Sequence, residues 1–488
     1  MIELFRFLGQ LVRLNPHFLR DAESVEEVQK RKFRRLIKHA AENSPFYARK
    51  FAGLDLDTCS LSDLPVLSKR EMMENFDDVV TDRSLRRADI QRFVDTPSNL
   101  GKLFHGKYGI AHTSGSQGRP ALIVQDRNAL ALTFAMQVSR GSSQRKRFQH
   151  LGHVLSPARM AVVTQRPGFY PSGFSFSYIP DGLKPFFKVK WLSVFDPIEV
   201  TVDALNRFQP NFITGYTSSL QVLAREEIAG RLNLRRTGAL EQIINISEPL
   251  PEISLALIEE AFAVPVSDQY AMGECLALTS GCPGHRGAHL NADYAIMEVV
   301  DANYKPVRAG EKGAKVLVTN LYNYVQPFIR YEIDDVVTMS TVPCACGSPL
   351  PLVSAIEGRS NDKLWVEIAG KYKELPYYLF LAALHNDLDI AEHQVVQTGK
   401  NEFTVRVAAQ PGKLLSPERI RRLVQQSVDV EGMSDIVRFK VQIADHIDRG
   451  PSGKAERVRN LVGPPPDDAI AQPPALADRD SAPAHGSA

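Results

Sequence analysis

The stretch that decides the fold is "QIINISEPLPEISLALIEEAF" (242–262). It begins with a short apolar run typical of a buried strand and continues, after a proline turn, as a helical pattern. Apolar runs such as "MAVVTQ" (160–165) and "KVLVTNL" (315–321) alternate with further helical patterns such as "SSLQVLAREEIAGRL" (218–232). Strands separated by helices predict α/β layering, and we assign this pattern to residues 106–357.

The segments on either side differ from this α/β core. Residues 1–105 look mainly helical and form the N-terminal region of the same large domain. Residues 358–462 predict a small, mobile α+β C-terminal domain, since "FTVRVA" (403–408) and "VRFKVQIA" (437–444) alternate as half-buried strands. Residues 463–488 are rich in Pro, Ala and Asp and predict a disordered tail.

A helix is expected between the two strands of the small domain. The segment "SPERIRRLVQQSV" begins with Ser416, a natural N-cap residue, and Pro417 occupies the first helical position.

Composition excludes several classes of protein. The 488 residues are 44% hydrophobic and 23% charged, and 58 basic against 56 acidic side chains give a net charge of +2. This balance gives no support for nucleic-acid binding, which needs a concentrated basic face. The basic cluster "QKRKFRR" (29–35) is interpreted as the solvated side of a helix whose apolar side contains Val25, Leu36 and Ile37.

Neither a membrane span nor a disulfide framework is expected. No run approaches the ~20 apolar residues that a span requires, and Glu3, Arg6 and Arg13 interrupt the N-terminal segment. Five cysteines in 488 residues are too few for a disulfide scaffold. We therefore expect a cytoplasmic protein.

A pliable turn lies within "AHTSGSQGRPALIVQD" (111–126). Backbone N–H groups of such a turn can converge on one anion, and its hydroxyls add hydrogen bonds, so the turn suits nucleotide phosphates. It is neither a Walker A sequence nor the helix-opening GxGxxG pattern, and a surface hairpin loop remains the alternative. The candidate phosphate-binding residues are Thr113, Ser114, Gly115, Ser116 and Gly118.

Four later segments accompany this turn. They are "DQYAMGE" (268–274), "QPFIRYEIDDVV" (326–337), "EGRSNDKL" (357–364) and "RGPSGKAERV" (449–458). With the turn, they resemble in order the TSG loop and the YGxxE, RYxxGD, GRxDD and GK elements of the adenylate-forming superfamily. The segments "SPFYARKF", "LSDLPVLSKREM" and "FITGYTSSLQVLA" resemble one branch of it, the phenylacetate–CoA ligase and coenzyme F synthetase-like proteins that include the CapK type.

The resemblance implies an ATP site. Glu274 would hold Mg²⁺ against the phosphates, which suits an ion that prefers oxygen ligands. Tyr270 would lie against the adenine, and Asp335 would accept hydrogen bonds from the ribose hydroxyls. Asp334 replaces the usual glycine before Asp335 and could compete for that role. The resemblance also assigns Ser247, Glu248, Asp268, Gln269 and Arg359 to ATP binding.

Three further residues are implied in catalysis and domain movement. Arg330 belongs to the matched RYxxGD element and is assigned a catalytic role. Asn361 occupies the hinge position that is usually an aspartate, and asparagine tolerates unusual φ angles. Lys454, in a loop with Gly453, would stabilise charge in the transition state of acyl attack on phosphorus.

The implied reaction has two steps. A carboxylic acid attacks the α-phosphate of MgATP, pyrophosphate leaves, and the acyl group of the adenylate is then transferred, with CoA the first choice of acceptor. Alternatives are transfer to an amine or carrier protein, adenylylation of a cofactor hydroxyl, and a scaffold that binds nucleotide without turnover. The aromatic-rich segment 165–187 either walls the acyl pocket or folds over the core, and a homodimer is a family-level expectation.

The cysteines also predict a structural zinc site. Thiolate and imidazole ligands together favour tetrahedral Zn²⁺. Cys282 and His289 lie near one another in sequence, and Cys344 and Cys346 form a C-x-C pair before Gly347. The resemblance supports this pairing and favours His289 over the runner-up His285. Four unpaired residues in two loops are the alternative. Cys275 is expected in the core.

Overall fold

The computed structural model describes most of the chain in two units, and each is described here by itself. The first unit contains the described residues up to Arg359, and the second contains those from Leu364 onward. The described residues are 14, 21–113, 120–141, 156–164, 169–179, 181–282, 287–359, 364–375, 380, 384, 389–410, 412–430, 432–447, 458–463 and 465–466.

Helices form the N-terminal part of the first unit, as predicted. The longest is α1, where the side chain of Asp21 accepts a hydrogen bond from the Ser24 backbone N–H and thereby caps the first turn. Its apolar side is buried, including Leu36 and Ile37. The helices are α1 (Ala22–Asn43), α2 (Pro45–Lys50), α3 (Lys69–Glu74), α4 (Phe76–Val79) and α5 (Arg87–Val94), with short 3₁₀ turns at Leu61–Asp63 and Pro97–Asn99.

The basic side of α1 is only partly solvated. Lys30 and Arg31 are exposed, as expected. Lys32 departs from the expectation, because its Nζ donates to the carbonyl of Asp293 at 2.7 Å and lies 3.0 Å from the ring centroid of Tyr294. Burial of this ammonium lowers the pKa of Lys32 to about 7. The basic cluster therefore also fastens α1 to the body of the unit.

A hairpin and a helix follow. Strands β1 (Tyr108–His112) and β2 (Leu122–Asp126) pair antiparallel, and α6 (Arg127–Gly141) begins directly after β2. The opposite position to Gln125 is Gly109, where a Cβ would lie 3.0 Å from side-chain atoms of both Leu130 and Phe174. The hairpin is thus packed closely against its neighbours on that face.

A five-stranded parallel sheet is the centre of the predicted α/β layering. Its strands are ordered β4-β3-β5-β6-β7, with Ile213 and Ile243 buried against Leu220 and Ile258 of the covering helices. In chain order the elements are β3 (Ala158–Thr164), α7 (Pro171–Ser177), a 3₁₀ turn (Asp181–Phe186), β4 (Phe187–Ser193), α8 (Ile198–Phe208), β5 (Phe212–Gly215), α9 (Thr217–Ile228), α10 (Leu234–Thr237), β6 (Gln242–Ile246), α11 (Glu252–Phe262) and β7 (Val266–Gln269).

Two antiparallel sheets complete the first unit. One has the order β10-β11-β12 and the other β13-β14-β9-β8. Their strands are β8 (Thr279–Gly281), β9 (Ala288–Leu290), β10 (Ala295–Val300), β11 (Lys315–Asn320), β12 (Tyr331–Ile333), β13 (Asp335–Met339) and β14 (Leu352–Arg359).

The second unit has the predicted α+β pattern. The Ser416 hydroxyl accepts from the Arg419 backbone N–H at 3.3 Å, which confirms the expected cap of the helix. A hairpin joins β15 (Leu364–Ile368) and β16 (Lys371–Leu375), and a four-stranded sheet has the order β19-β18-β17-β20. Its elements are β17 (Ile390–Gly399), β18 (Glu402–Ala409), α12 (Pro417–Val430), β19 (Arg438–Ala444) and β20 (Val458–Asn460).

The α/β fold class is confirmed by this architecture. No helix in the described part of the chain is long and apolar enough to cross a bilayer. The three predicted boundaries between the four segments stay predictions, and nearly all of the predicted tail lies outside the described residues.

Candidate active site

The carboxyl ends of the parallel strands carry a buried polar network. Asn245 on β6 is fully buried, and its Nδ2 donates to the carbonyl of Glu248 at 2.8 Å and to Oδ1 of Asp268 at 2.7 Å. The Thr217 hydroxyl donates to Oδ1 of Asn245 at 2.8 Å. Ligands of open α/β sheets bind beyond this edge of the strands, so the network supports the predicted nucleotide side of the site.

The sequence analysis did not single out Asn245 or Thr217. A signal was present, because Asn245 is an amide between the apolar residues Ile244 and Ile246 of β6. A buried amide requires partners, and Asn245 obtains them from the turn after its own strand and from β7.

The predicted residues Ser247 and Glu248 form that turn. Ser247 has a φ of 65°, in the left-handed region that favours glycine. The Glu248 carboxylate accepts from the backbone N–H of Ser218 at 2.8 Å and from its hydroxyl at 3.1 Å. Glu248 therefore caps the N-terminus of α9, where a negative charge is favourable.

Asp268 lies at the same edge of the parallel sheet, near the carboxyl end of β7. Its burial raises the pKa of the carboxyl to about 6, although the hydrogen bond from Asn245 acts in the opposite direction. Gln269 ends the strand, and its partner across the sheet is Ile246.

Tyr270 brings two of the predicted motifs together. Its hydroxyl donates to Oδ2 of Asp335 at 2.7 Å, although the two residues lie 65 positions apart. The contact is made by Asp335 and not by its neighbour Asp334. The residue predicted to face the adenine thus contacts the residue predicted to bind the ribose.

Glu274 lies in the turn that follows Tyr270. It is 6% exposed, and its backbone carbonyl accepts from the Asn320 amide at 2.8 Å. The preceding Gly273 is closely packed, since a Cβ there would lie 2.4 Å from Cδ1 of Ile123 on β2. This close approach fixes the turn against the hairpin. Cys275 is fully buried, as expected, and burial raises the pKa of its thiol to about 12.

Arg330 is engaged elsewhere. Its Nε and Nη2 donate to the two carboxylate oxygens of Glu298 at 3.0 Å each, and its Nη1 donates to the carbonyl of Leu64 at 2.5 Å. These contacts hold β12 against β10 and the N-terminal segment. They favour a structural role over the predicted catalytic one, which stays a prediction.

Several predicted residues lie outside the described part of the chain. They include Ser114, Gly115, Ser116 and Gly118 of the phosphate loop, Asn361 of the hinge, Lys454 and the runner-up His285. Thr113 is described, and its hydroxyl accepts from the Ala121 backbone N–H at 2.9 Å, so it helps to close the base of the loop. Arg359 ends β14, opposite Asp335 on β13.

The described residues of the aromatic-rich segment, 169–179 and 181–187, contain α7, the 3₁₀ turn Asp181–Phe186 and the first residue of β4. Phe169 and Phe174 are buried, and Phe174 packs against the hairpin, so at least these two rings belong to the core.

The four predicted zinc ligands converge. The ligand atoms of Cys282, His289, Cys344 and Cys346 all lie within 4.8 Å of one another. The sulfurs of Cys282 and Cys344 are 3.5 Å apart, and Nε2 of His289 lies 3.2 Å from the sulfur of Cys346. His289 lies on β9, Cys282 directly follows β8, and the other two lie between β13 and β14.

This donor set fits Zn²⁺. A tetrahedral zinc with Zn–S bonds of about 2.3 Å places two sulfurs about 3.8 Å apart, close to the separation of Cys282 and Cys344. His289 donates from Nδ1 to the carbonyl of Leu350 at 3.0 Å, which leaves Nε2 as the acceptor nitrogen toward the cluster. A second-shell bond of this kind orients metal-binding histidines.

Comparisons with known proteins support the fold. No family model matches the chain. The phenylacetate–coenzyme A ligase of Thermus thermophilus is 23% identical over 477 residues, which cover 90% of this chain and 97% of that protein. Protein CapK of Staphylococcus aureus is 22% identical over 408 residues, or 79% of each chain. A structure of 2-hydroxyisobutyryl-CoA ligase in its postadenylation state has a TM-score of 0.66, at 23% identity and 90% coverage of both chains.

The chain therefore has the fold of 2-hydroxyisobutyryl-CoA ligase and is similar over most of its length to the phenylacetate–coenzyme A ligase. Both relatives agree with the resemblance to the phenylacetate–CoA ligase and CapK branch that the sequence motifs indicated.

Proposed function

We propose that the protein activates a carboxylic acid with ATP and transfers the acyl group to CoA. A carboxylate oxygen attacks the α-phosphorus, the bond to the β-phosphate breaks, and pyrophosphate leaves. The CoA thiolate then attacks the acyl carbon, and AMP leaves. The observation that carries this proposal is the Tyr270–Asp335 hydrogen bond, because it unites two nucleotide motifs from distant parts of the chain.

The residues divide into nucleotide-holding and charge-stabilising groups. Tyr270, Asp335 and the network around Asp268 hold the nucleoside, while the loop after Thr113 receives the phosphates. Glu274 would hold Mg²⁺, which supplies charge neutralisation at the phosphates, and a buried carboxylate is a suitable oxygen ligand for it. Positioning and electrostatic stabilisation account for the catalysis, with no covalent enzyme intermediate.

The direct test measures pyrophosphate release across a panel of aryl, fatty and amino acids, with products identified by mass spectrometry. We expect release that depends on one class of acid, and an acyl-CoA product when CoA is added. An acyl-amide, an acyl-carrier protein or a stable adenylylated hydroxyl would instead establish the alternative acceptors. Nucleotide binding without release by any acid would contradict the proposed activity.

A Lys454 variant tests whether this lysine acts in only one of the two half-reactions. Replacing it with alanine should lower adenylation by roughly 10²–10³-fold, the usual cost of losing one charge-stabilising group. Transfer from supplied acyl-adenylate to CoA should be nearly unaffected, since Lys454 acts only in the first step. Lys400→Ala is the matched control, because Lys400 is a loop lysine that is 64% exposed. Equal loss in both half-reactions would contradict the two-step use of this lysine.

We also propose that Cys282, His289, Cys344 and Cys346 hold a structural Zn²⁺. Four protein ligands leave no open position for a water, so the metal would fasten the loop between β13 and β14 to strands β8 and β9. All five cysteines are free, and a cytoplasmic location would keep these thiols reduced.

Metal analysis of protein purified without added metal tests the site. We expect close to one zinc per chain. Cys344→Ser should lose zinc and thermal stability together, because without the metal the loop between β13 and β14 is no longer held to β8 and β9. Cys59→Ser is the matched control, since Cys59 is also buried but lies outside the cluster. A metal-free protein with stable Cys282 and Cys344 variants would refute the site.

A further inference from the structure

The hydroxyl of Tyr270 has a function separate from that of its ring. We infer that this hydroxyl is a positioning group that orients the Asp335 carboxylate for the ribose, and that it thereby sets the selectivity for the ribose hydroxyls. The inference rests on the proposed function, because it assumes that Asp335 faces the ribose.

The first support is the geometry of the carboxylate. Asp335 is only partly buried, and it begins β13 at a point where the pairing with β14 is irregular between Asp335 and Val337. The 2.7 Å hydrogen bond from Tyr270 to Oδ2 fixes the rotation of the carboxylate. A carboxylate has about four acceptor sites, and the bond from Tyr270 occupies only one of them.

The second support is that Tyr270 is itself held rigidly. Its backbone N–H donates to the Thr279 hydroxyl at 2.9 Å, and that hydroxyl donates to the Tyr270 carbonyl at 2.8 Å. The backbone N–H of Thr279 donates to the same carbonyl at 3.2 Å. Tyr270 is 9% exposed, so its ring has little freedom. A donor anchored in this way is preorganised, which is what a positioning group requires.

The bond also connects two sheets. Tyr270 directly follows β7 of the parallel sheet, whereas Asp335 belongs to the four-stranded antiparallel sheet. Asp335 thus keeps a fixed place relative to the strand ends that carry Asn245 and Asp268. A ribose bound between these elements would meet a carboxylate of defined orientation.

The test compares ATP, 2′-deoxy-ATP and 3′-deoxy-ATP by calorimetric titration, which needs no knowledge of the acid substrate. The wild-type protein should bind ATP more tightly than either deoxy analogue. Tyr270→Phe keeps the ring but removes the hydroxyl, and it should weaken ATP binding ~10-fold, in line with a lost bond to a charged group. Binding of the two deoxy analogues should weaken much less. The ratio of each analogue's dissociation constant to that of ATP, the selectivity ratio, should therefore fall toward one.

Two further variants make the result decisive. Asp335→Ala should abolish ribose selectivity, and Tyr270→Phe added to it should cause little further loss. Tyr322→Phe is the matched control, because the Tyr322 hydroxyl accepts from the Ala277 backbone N–H at 3.3 Å and serves another part of the fold. It should leave the selectivity ratio unchanged.

The outcomes distinguish the positioning role of Tyr270 from the ribose role of Asp335. Selectivity that is lost in Asp335→Ala but retained in Tyr270→Phe would overturn the positioning role and leave the proposed activity intact. Selectivity that survives in Asp335→Ala would remove the ribose role of Asp335 and the inference with it. Equal loss in Tyr322→Phe and Tyr270→Phe would also overturn the inference, since the effect would then be general.

Discussion

Replacing Arg330 with alanine should destabilise the protein by ~3–5 kcal/mol, the usual cost of breaking a buried ion pair. The guanidinium of Arg330 makes two 3.0 Å bonds to Glu298, and the two side chains are only 7% and 11% exposed. Alanine would leave the Glu298 charge buried without its partner, and the carbonyl of Leu64 would lose its donor. The large magnitude follows from this burial more than from the contact itself.

Urea unfolding of the wild type and the variant measures this difference. Arg49→Ala is the matched control, because Arg49 also pairs with a carboxylate, that of Asp78 at 2.8 Å, but the two side chains are 61% and 38% exposed. The control should lose only ~0–1 kcal/mol. If both variants lost equally little stability, the structural role would be refuted. A stable Arg330→Lys variant that no longer forms adenylate would instead support the catalytic prediction.

Three smaller changes test other parts of the first unit. The pKa of Asp268, about 6 against an ordinary 3.8, means that its ionisation destabilises the fold as the pH rises through that range. Asp268→Asn should therefore raise the free energy of unfolding by ~1–2 kcal/mol at pH 8 and by little at pH 4, and an equal effect at both would contradict this. Ser247→Gly should raise the free energy of unfolding, measured by thermal denaturation, by ~1 kcal/mol, because glycine adopts the φ of 65° without strain. A lower free energy of unfolding would mean that the serine hydroxyl contributes more than the backbone strain costs. Gln125 is fully buried, and among the described residues neither amide atom has a partner, so Gln125→Met should stabilise by ~1–3 kcal/mol in chemical denaturation, whereas a destabilised variant would indicate that the amide is bonded.

The sequence predicted the elements of the fold well, for a physical reason. The run "QIINIS" became β6 and the following apolar pattern became α11, because burial of one face selects residues at the spacing of the element itself. The cap at Ser416 was predictable in the same way, since the donor and acceptor lie three residues apart. The prediction that the basic side of α1 is solvated was partly wrong, because Lys32 contacts residues that lie over 260 positions away.

The candidate site was predicted as a set of residue types but not as a set of contacts. Cys282, His289, Cys344 and Cys346 were predicted from their chemistry and from a resemblance, and tertiary structure gathers them from separate segments of one sheet. No local sequence pattern could predict that Arg330 forms an ion pair with Glu298, or that Asn245 is the centre of a hydrogen-bond network.

The sequence by itself therefore determined which segments become helices and strands and which residues offer ligand or nucleotide chemistry. Only the tertiary structure decided that the Tyr270 hydroxyl contacts Asp335 and that the Arg330 guanidinium is already occupied. The reason is that helical and strand periodicity reports only whether a face is buried. The partner of a buried polar group is fixed by how the sheets stack, which brings together residues far apart in the chain.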